Sequence, residues 1–136
     1  MTKYWLVKSE PETFSWQDLV KKGSVCWDGV RSYAARNNLK AMKKGDHVLF
    51  YHSVIGTCVV GIAKVSKEFY PDPTSKDDDR WVAVDIIPLK ELKKSVPLSA
   101  IKAIPELKNI YLVRQGRLSV MPLSKDEFNV IVTMGK

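Results

Sequence analysis

The chain has 136 residues, with 22 lysines and arginines against 15 aspartates and glutamates, giving a net charge of +7 at pH 7. Its 45% hydrophobic and 27% charged content excludes a disordered protein, and its length predicts one domain over residues 1–136. The positive excess favours a polyanionic partner, and nucleic acid, an anionic membrane and an acidic protein all stay open at this point.

Cysteine usage and the apolar segments narrow the class further. Cys26 and Cys58 are far apart and lack a C-x-x-C spacing, which argues against a disulfide framework or a zinc site. The first residues lack an apolar signal sequence, and no apolar run approaches the ~20 residues of a membrane helix. We therefore expect a cytoplasmic protein that does not enter a membrane and that uses neither a metal nor a cofactor.

The amino-terminal elements carry clear local signals. Residues 4–9 are aromatic and β-branched and predict a first strand, which Glu10-Pro11 ends. Ser15 and Asp18 form a variant of the capping box at the start of a helix. We expect Trp5 on the strand and Trp16 on the helix to be buried.

A second helix is predicted over residues 32–42. Its apolar stripe has the spacing i, i+4, i+7 and consists of Ala35, Leu39 and Met42. The adjoining face is cationic and consists of Arg36, Lys40 and Lys43, with Lys44 just beyond. Such a helix can pack on a core and present its cations to a polyanion, although an ordinary solvated face has the same pattern.

Three strands are then predicted, over residues 47–53, 57–65 and 80–87, with a polar loop at 70–79 between the last two. Several of these strands are apolar at alternating and intervening positions. The sheet is therefore expected to be covered on both sides or to curl into a barrel.

Two helices are predicted near the carboxyl end. Residues 98–101 form a short one that ends before Pro105, and Ser124 with Glu127 forms a full capping box for the last one. The resulting fold class is α+β, with a strongly curved, mainly antiparallel sheet.

Signatures of common enzymes are missing from the sequence: there is no G-x-G-x-x-G, Walker, H-E-x-x-H or G-x-S-x-G motif. His47 and His52 lie five residues apart on a strand, so their side chains point to opposite faces and cannot share a metal. Lys8 and Glu10 share a strand face, which suits either an acid/base pair or a plain salt bridge.

Binding signals are stronger. Trp27 leads the segment Trp27-Asp28-Gly29-Val30-Arg31, placed in a loop before the basic helix. A large ring beside glycine, a carboxylate and an arginine suits a pocket that stacks a planar ligand, although a structural turn has the same composition. Further aromatic rings and donors are suited to single-stranded or flipped-base recognition: Tyr51, Ser53, Trp81, Arg114, Arg117 and Ser119.

Six segments together resemble the EVE domain, a PUA-like family related to the YTH readers and including the thymocyte nuclear proteins. They are residues 5–11, 27–37, 50–53, 70–72, 81–85 and 117–122, of which K-S-E-P at 8–11 and W-D-G-V-R at 27–31 are the most specific. The likeness spans nearly the whole chain, although the loop between Tyr70 and Trp81 is shorter than in the thymocyte nuclear proteins.

The resemblance implies a PUA-like, strongly curved β-barrel flanked by helices, with one pocket for a base of DNA or RNA. The implied ligand-binding residues are Lys8, Ser9, Trp27, Gly29, Val30, Arg31, Asn37, Tyr51, His52, Ser53, Trp81, Arg117 and Ser119. The cations expected along the nucleic-acid backbone are Arg36, Lys40, Lys43 and Lys44.

Three hypotheses follow. The first is a non-catalytic reader, expected to be a monomer, that takes a modified base into an aromatic pocket and passes its readout to a separate effector protein. The second is a small hydrolase of modified nucleosides that uses Lys8 and Glu10. The third is a module whose basic face binds acidic proteins.

Overall fold

The computed structural model describes residues 2–136, which form six β-strands and five α-helices. The strands are β1 (Tyr4–Ser9), β2 (Val25–Trp27), β3 (His47–His52), β4 (Cys58–Pro71), β5 (Val82–Pro97) and β6 (Val120–Leu123). The helices are α1 (Trp16–Lys22), α2 (Tyr33–Ala41), α3 (Leu98–Lys102), α4 (Tyr111–Arg114) and α5 (Lys125–Met134), with a 3-10 turn at Pro105–Leu107.

All six strands belong to one sheet, in the order β2-β5-β4-β3-β1-β6. Only β1 and β3 pair in parallel, and the other four pairings are antiparallel, which confirms a mainly antiparallel sheet. Within residues 2–136, β2 and β6 stand at opposite edges and do not pair with each other. The sheet is therefore open, and the predicted closed barrel is not confirmed.

The core lies on both faces of this sheet. Four consecutive residues of β3, Val48 to Tyr51, are buried, which requires that both faces be covered. Trp5 and Trp16 are buried as predicted, and α2 packs its stripe of Ala35, Leu39 and Met42 inward. The carboxylate of buried Asp46 accepts hydrogen bonds from Trp5 Nε1 (2.9 Å) and from two backbone N–H groups, of Lys3 and Lys43.

Several predicted boundaries are confirmed. Both capping boxes are present, at Ser15 with Asp18 and at Ser124 with Glu127. The second helix was expected over residues 32–42 and is found at Tyr33–Ala41, with Ser32 as its N-cap.

Other boundaries correct the prediction. β4 and β5 run longer than expected, so Tyr70 and Pro71 belong to a strand and the loop begins at Asp72. Register shifts within the β4–β5 pair mark irregularities along these long strands, which a simple alternation of residues does not reveal. Trp27 was placed in a loop but is the last residue of β2, opposite Val84.

Candidate functional site

A cavity of about 800 Å³ opens where β1 and β2 end. Its walls come from the end of β1 and the turn after it, from β2 with the loop that leads to α2, and from the residue before β6. In numbers, the walls are formed by residues 8–10, 13–14, 22, 25–32 and 119. The residues K-S-E at 8–10 and W-D-G-V-R at 27–31 thus line one cavity, although 19 positions separate Lys8 from Trp27 in the sequence.

Trp27 forms the aromatic wall of the cavity. Its half-buried ring meets Phe14 edge-on, with 6.5 Å between centroids and 78° between planes, and Phe50 at 5.6 Å and 82°. These edge-to-face contacts hold the indole in place, because aromatic pairs favour such geometry over a direct sandwich. Val25 and Val30 also line the cavity, so its apolar surface extends beyond the indole ring.

The loop after Trp27 is fixed by a buried carboxylate. Gly29 has a φ of +78°, a conformation that side-chain-bearing residues rarely adopt, and its N–H donates to Asp72 Oδ2 at 2.8 Å. Arg31 Nη1 donates to the same oxygen at 2.9 Å, while the N–H and hydroxyl of Thr74 donate to Oδ1. The cavity rim is therefore bound to the loop that follows β4.

The pKa of Asp72 reflects these contacts. Burial opposes ionisation, but the hydrogen bonds from Thr74, Arg31 and Gly29 outweigh it and lower the pKa to about 2. Asp72 is therefore ionised at neutral pH, and it neutralises the guanidinium of Arg31 at the rim.

Lys8 and Ser9 stand at the end of β1. Lys8 Nζ donates to the carbonyl of Gly116 at 2.7 Å, and burial lowers the pKa of this lysine. The hydroxyl of Ser9 donates to the carbonyl of Phe14. Lys8 has two further amine protons, and the Ser9 oxygen has lone pairs, so both residues keep hydrogen-bonding capacity toward the cavity.

Two carboxylates line the same cavity, on Glu10 and Asp28, and both residues are exposed. The salt bridges within residues 2–136 are Arg31–Asp72 and Arg80–Asp78, so neither cavity carboxylate is in one. The expected Lys8–Glu10 salt bridge is therefore wrong: Glu10 lies beyond the end of β1, and Lys8 Nζ instead contacts Gly116.

Cys26 borders the cavity from β2. Burial raises the pKa of its thiol, and the neighbouring carboxylates add to this, so the thiol is protonated at neutral pH. Tyr70 donates its hydroxyl proton to Asp85, across the sheet from Cys26, and burial with this bond raises the pKa of Tyr70. Cys26 and Tyr70 therefore both keep their protons at neutral pH, and Cys26 lacks the thiolate form that a nucleophile requires.

Seven of the residues expected to bind a ligand line the cavity: Lys8, Ser9, Trp27, Gly29, Val30, Arg31 and Ser119. The other six are not among the lining residues. Tyr51 is 2% exposed within the core, and His52 Nε2 accepts the N–H of Trp16 at 3.1 Å. Burial also lowers the pKa of His52, which favours the neutral ring that this acceptor role requires.

The remaining four lie around the rim or on the surface. The N–H of Ser53 donates to the carbonyl of Ser9 at 2.9 Å, so Ser53 supports the cavity through the backbone. Arg117 is exposed two residues before Ser119. Asn37 Oδ1 accepts from the guanidinium of Arg36, and Trp81 stacks on Tyr33 outside the cavity.

The cations expected along the backbone of a nucleic acid lie on one side of α2 and just after it. Lys40, Lys43 and Lys44 are exposed and Arg36 is half-buried. Lys40 Nζ lies 5.6 Å from the centroid of the exposed Phe69 ring. The apolar stripe of α2 faces inward, so these cations face solvent.

Two residues that shape the cavity, Phe14 and Asp72, were not predicted from the sequence as site residues. Phe14 reads as the hydrophobic residue before a helix cap, whereas Glu10 was named as an acid/base or salt-bridge partner of Lys8. Asp72 lies in a polar loop of which only the Pro-Asp-Pro sequence is a local signal, and two of its partners lie 43 and 41 positions away.

Within residues 2–136, no group of three His, Cys, Asp or Glu side chains is placed to hold a metal ion. No helix of that part of the chain is long and apolar enough to cross a membrane.

The EVE domain model matches residues 3–134 of the chain. Thymocyte nuclear protein 1 of Mus musculus is 38% identical over 170 aligned positions, which cover 98% of this chain and 74% of the mouse protein. Protein Atu2648 of Agrobacterium tumefaciens has a crystal structure with a TM-score of 0.97 and 43% identity, covering 98% of this chain and 93% of that one. Human THYN1 in complex with DNA containing 5-methylcytosine gives a TM-score of 0.94 at 34% identity, covering 99% and 98%.

A more distant likeness concerns the fold alone. The YTH domain of Zygosaccharomyces rouxii MRB1, solved in complex with N6-methyladenosine RNA, has a TM-score of 0.58 at 18% identity, covering 99% of this chain and 87% of that one. The expected likeness to YTH readers is thus confirmed for the fold alone. With a family model matching nearly every residue and relatives above 30% identity along almost all of its length, the chain belongs to the EVE domain family.

Proposed function

We propose that this domain binds nucleic acid and takes one modified base, 5-methylcytosine in the first instance, out of its strand and into the cavity beside Trp27. The observation that carries the proposal is that one cavity combines an indole wall with unpaired carboxylates, a lysine and an arginine. Human THYN1, 34% identical to this chain, has been solved with DNA containing 5-methylcytosine, which supports the same ligand class here.

The size of the cavity suits a nucleotide. Its volume of about 800 Å³ falls within the ~300–1,000 Å³ that small-molecule pockets span. Stacking of a base on an aromatic ring contributes ~1–3 kcal/mol, which is similar to the cost of unstacking a base from its strand. Edge hydrogen bonds and backbone contacts must therefore supply the net affinity.

The polar groups suit an amino-bearing base. Cytosine presents its N4 amino group as a donor, which the carboxylate of Asp28 or Glu10 can accept. The ring N3 and O2 are acceptors, to which the two remaining amine protons of Lys8 can donate, and the Ser9 oxygen can accept a further proton from the amino group. Adenine has an equivalent amino group at N6, so the same cavity can admit a modified adenine as a second choice.

The domain would distinguish 5-methylcytosine from cytosine by apolar contacts with the added methyl group. Val25 and Val30 line the same cavity as the indole, and burial of one methyl contributes ~0.8 kcal/mol, or about a fourfold preference. A preference of this size is the expectation for a methyl read by apolar contact alone.

Binding without turnover is the proposal, because within residues 2–136 neither Cys26 nor Lys8 is paired with a carboxylate or an imidazole that could act as its base. The thiol of Cys26 is protonated, and Lys8 Nζ is engaged by a backbone carbonyl without a carboxylate partner. Release of a product from a methylated or acylated nucleoside, lost in Lys8→Ala, would favour the hydrolase hypothesis instead.

The test uses five-nucleotide single strands with a central cytosine or 5-methylcytosine, followed by fluorescence anisotropy of an end label. Wild type should prefer the methylated strand about fourfold. Trp27→Ala should weaken methylated binding by ~1–3 kcal/mol and abolish the preference, because without the stacking wall the base is no longer held in the cavity where Val25 and Val30 can contact its methyl group. Trp27→Phe keeps an aromatic face and should retain most of the binding. Equal losses on both strands in Trp27→Ala, or no preference in wild type, would refute the reader proposal.

A further inference from the structure

An aromatic pair lies outside the cavity at the start of α2. The rings of Tyr33 and Trp81 stack with 5.3 Å between centroids and 29° between planes. Tyr33 is 54% exposed, although rings of this size usually gain stability by leaving water. We call these two residues the Tyr33–Trp81 platform.

Three guanidinium groups surround this platform. Arg36 Cζ lies 5.0 Å from the centroid of Tyr33, and Arg31 Cζ lies 5.7 Å from that of Trp81. Arg80 Nη1 donates to the hydroxyl of Tyr33 at 3.0 Å. These contacts fix the orientation of both rings.

The charges of the three arginines are not equally available. Arg31 is paired with Asp72 and Arg80 with Asp78, both at 2.9 Å. Within residues 2–136, Arg36 has no carboxylate partner, since its guanidinium donates to the Asn37 side chain and to the carbonyl of Arg80. Arg36 therefore keeps its full charge beside the exposed ring of Tyr33.

The platform adjoins the cavity directly. Arg31 both lines the cavity and lies over the ring of Trp81. Ser32 is also a cavity residue, and Tyr33 follows it in the chain. A strand that places one base in the cavity would bring its next nucleotide to this surface.

We propose that the Tyr33–Trp81 platform is a second nucleotide-binding site, which stacks the base next to the one in the cavity while Arg36 binds the phosphate between them. The proposal rests on the function proposed above. Rings and guanidinium planes are the groups on which unpaired bases stack, whereas a base inside a duplex has both faces covered. The platform therefore selects a strand whose neighbouring base is also unpaired.

The surrounding charges set the path of the strand. The acidic residues at 77–79 precede Arg80 and Trp81 in the chain, and their carboxylates repel phosphate. In contrast, α2 presents the exposed Lys40 one turn beyond Arg36. The strand accordingly leaves the cavity along α2 and not across the loop that precedes Trp81.

The experiment compares Tyr33→Ala with Tyr111→Ala, a control that removes another exposed tyrosine, on α4. Three probes are titrated: the five-nucleotide strand with central 5-methylcytosine, the same strand with abasic sites on both sides of that base, and 5-methyldeoxycytidine monophosphate. Tyr33→Ala should weaken the intact strand about tenfold, the size expected for loss of one stacking contact, and leave the other two probes unchanged. Tyr33→Phe, which keeps the ring, should bind as wild type does.

Other outcomes decide against the platform. An unchanged affinity of Tyr33→Ala for the intact strand overturns it, and so does an equal loss for the mononucleotide, which would show that Tyr33 only shapes the cavity. If wild type shows no preference for methylation, the proposed function fails by itself. The platform is then judged on unmethylated strands, where Tyr33→Ala must still weaken the intact strand relative to the abasic one. Thermal melting of both tyrosine variants confirms that each is folded.

Discussion

At Asp72, one buried carboxylate joins two parts of the chain that are 43 residues apart in sequence. Its four hydrogen bonds come from Gly29, Arg31 and, twice, Thr74. Each carboxylate oxygen accepts two of these hydrogen bonds. The position of Arg31, and through it that of the cavity rim, depends on this one side chain.

Replacement of Asp72 by asparagine should lower the free energy of unfolding by ~2–4 kcal/mol, because an amide nitrogen would then face two of the donors and Arg31 would lose its counter-charge. Chemical denaturation at pH 7 measures the change. Asp79→Asn is the matched control: Asp79 is exposed in the same loop, and its substitution should change stability by less than ~0.5 kcal/mol. Similar effects of the two substitutions would contradict the role given to Asp72.

The pH dependence of this contribution follows from the lowered pKa. The unfolded carboxyl titrates near its ordinary value of 3.8 and the folded one at about 2, so the unfolded state binds the proton more readily. The stability that Asp72 contributes is therefore complete above about pH 4 and is lost as the pH falls toward 2. The gap in stability between wild type and Asp72→Asn should narrow over that interval.

Among the elements, α1 and β4 meet at an unusually close contact. A Cβ atom added to Gly61 of β4 would lie 2.6 Å from two ring carbons of Trp16, the first residue of α1. The indole is 2% exposed and its Nε1 donates to Glu91 of β5 at 3.2 Å, so it has little freedom to move. Glycine is required here for the helix to approach the sheet.

Gly61→Ala should therefore destabilise the domain by ~1–3 kcal/mol through overpacking, seen as a lower Tm. Gly116→Ala is the control, because a Cβ at Gly116 meets no atom within 4 Å and should leave the Tm nearly unchanged. A Gly61→Ala variant that melts at the wild-type temperature would mean that the indole moves aside at little cost.

The elements that the sequence predicted are those whose signals are local. Capping boxes lie within four residues, and the stripe of α2 repeats within a helix, so both could be found without knowledge of the fold. β2 has three residues and β6 contains Pro122, so neither shows a run of alternating residues. These two strands exist because their partners, β5 and β1, present unpaired edges to them.

The same distinction applies to the site. The segment from Trp27 to Arg31 indicated a binding loop by composition, and it does line the cavity. The partners that fix it could not be predicted, because Asp72 reaches it across the fold and carries no local signal. Trp81 was expected to bind the ligand together with Trp27, yet the ring on which it stacks is that of Tyr33, 48 positions away in the sequence.

For the whole molecule, the net charge of +7 can attract nucleic acid either over the entire surface or mainly at one part of it. The cations of α2 lie next to the Tyr33–Trp81 platform, whereas others, such as Lys93 on β5, belong to a different part of the sheet. A general excess of charge attracts any polyanion and is screened by salt. A strand bound along α2 should instead depend on particular lysines.

Lys40→Ala should weaken binding of methylated and unmethylated single strands by the same factor, because a phosphate contact carries no information about the base. The plot of log K against log salt should become shallower by about 0.7, the value for one phosphate contact on a single strand. Lys93→Ala removes the same charge from an exposed position on β5 and should leave both quantities nearly unchanged. Equal effects of the two substitutions would mean that the molecule attracts nucleic acid by its net charge, and that α2 offers no defined path for the strand.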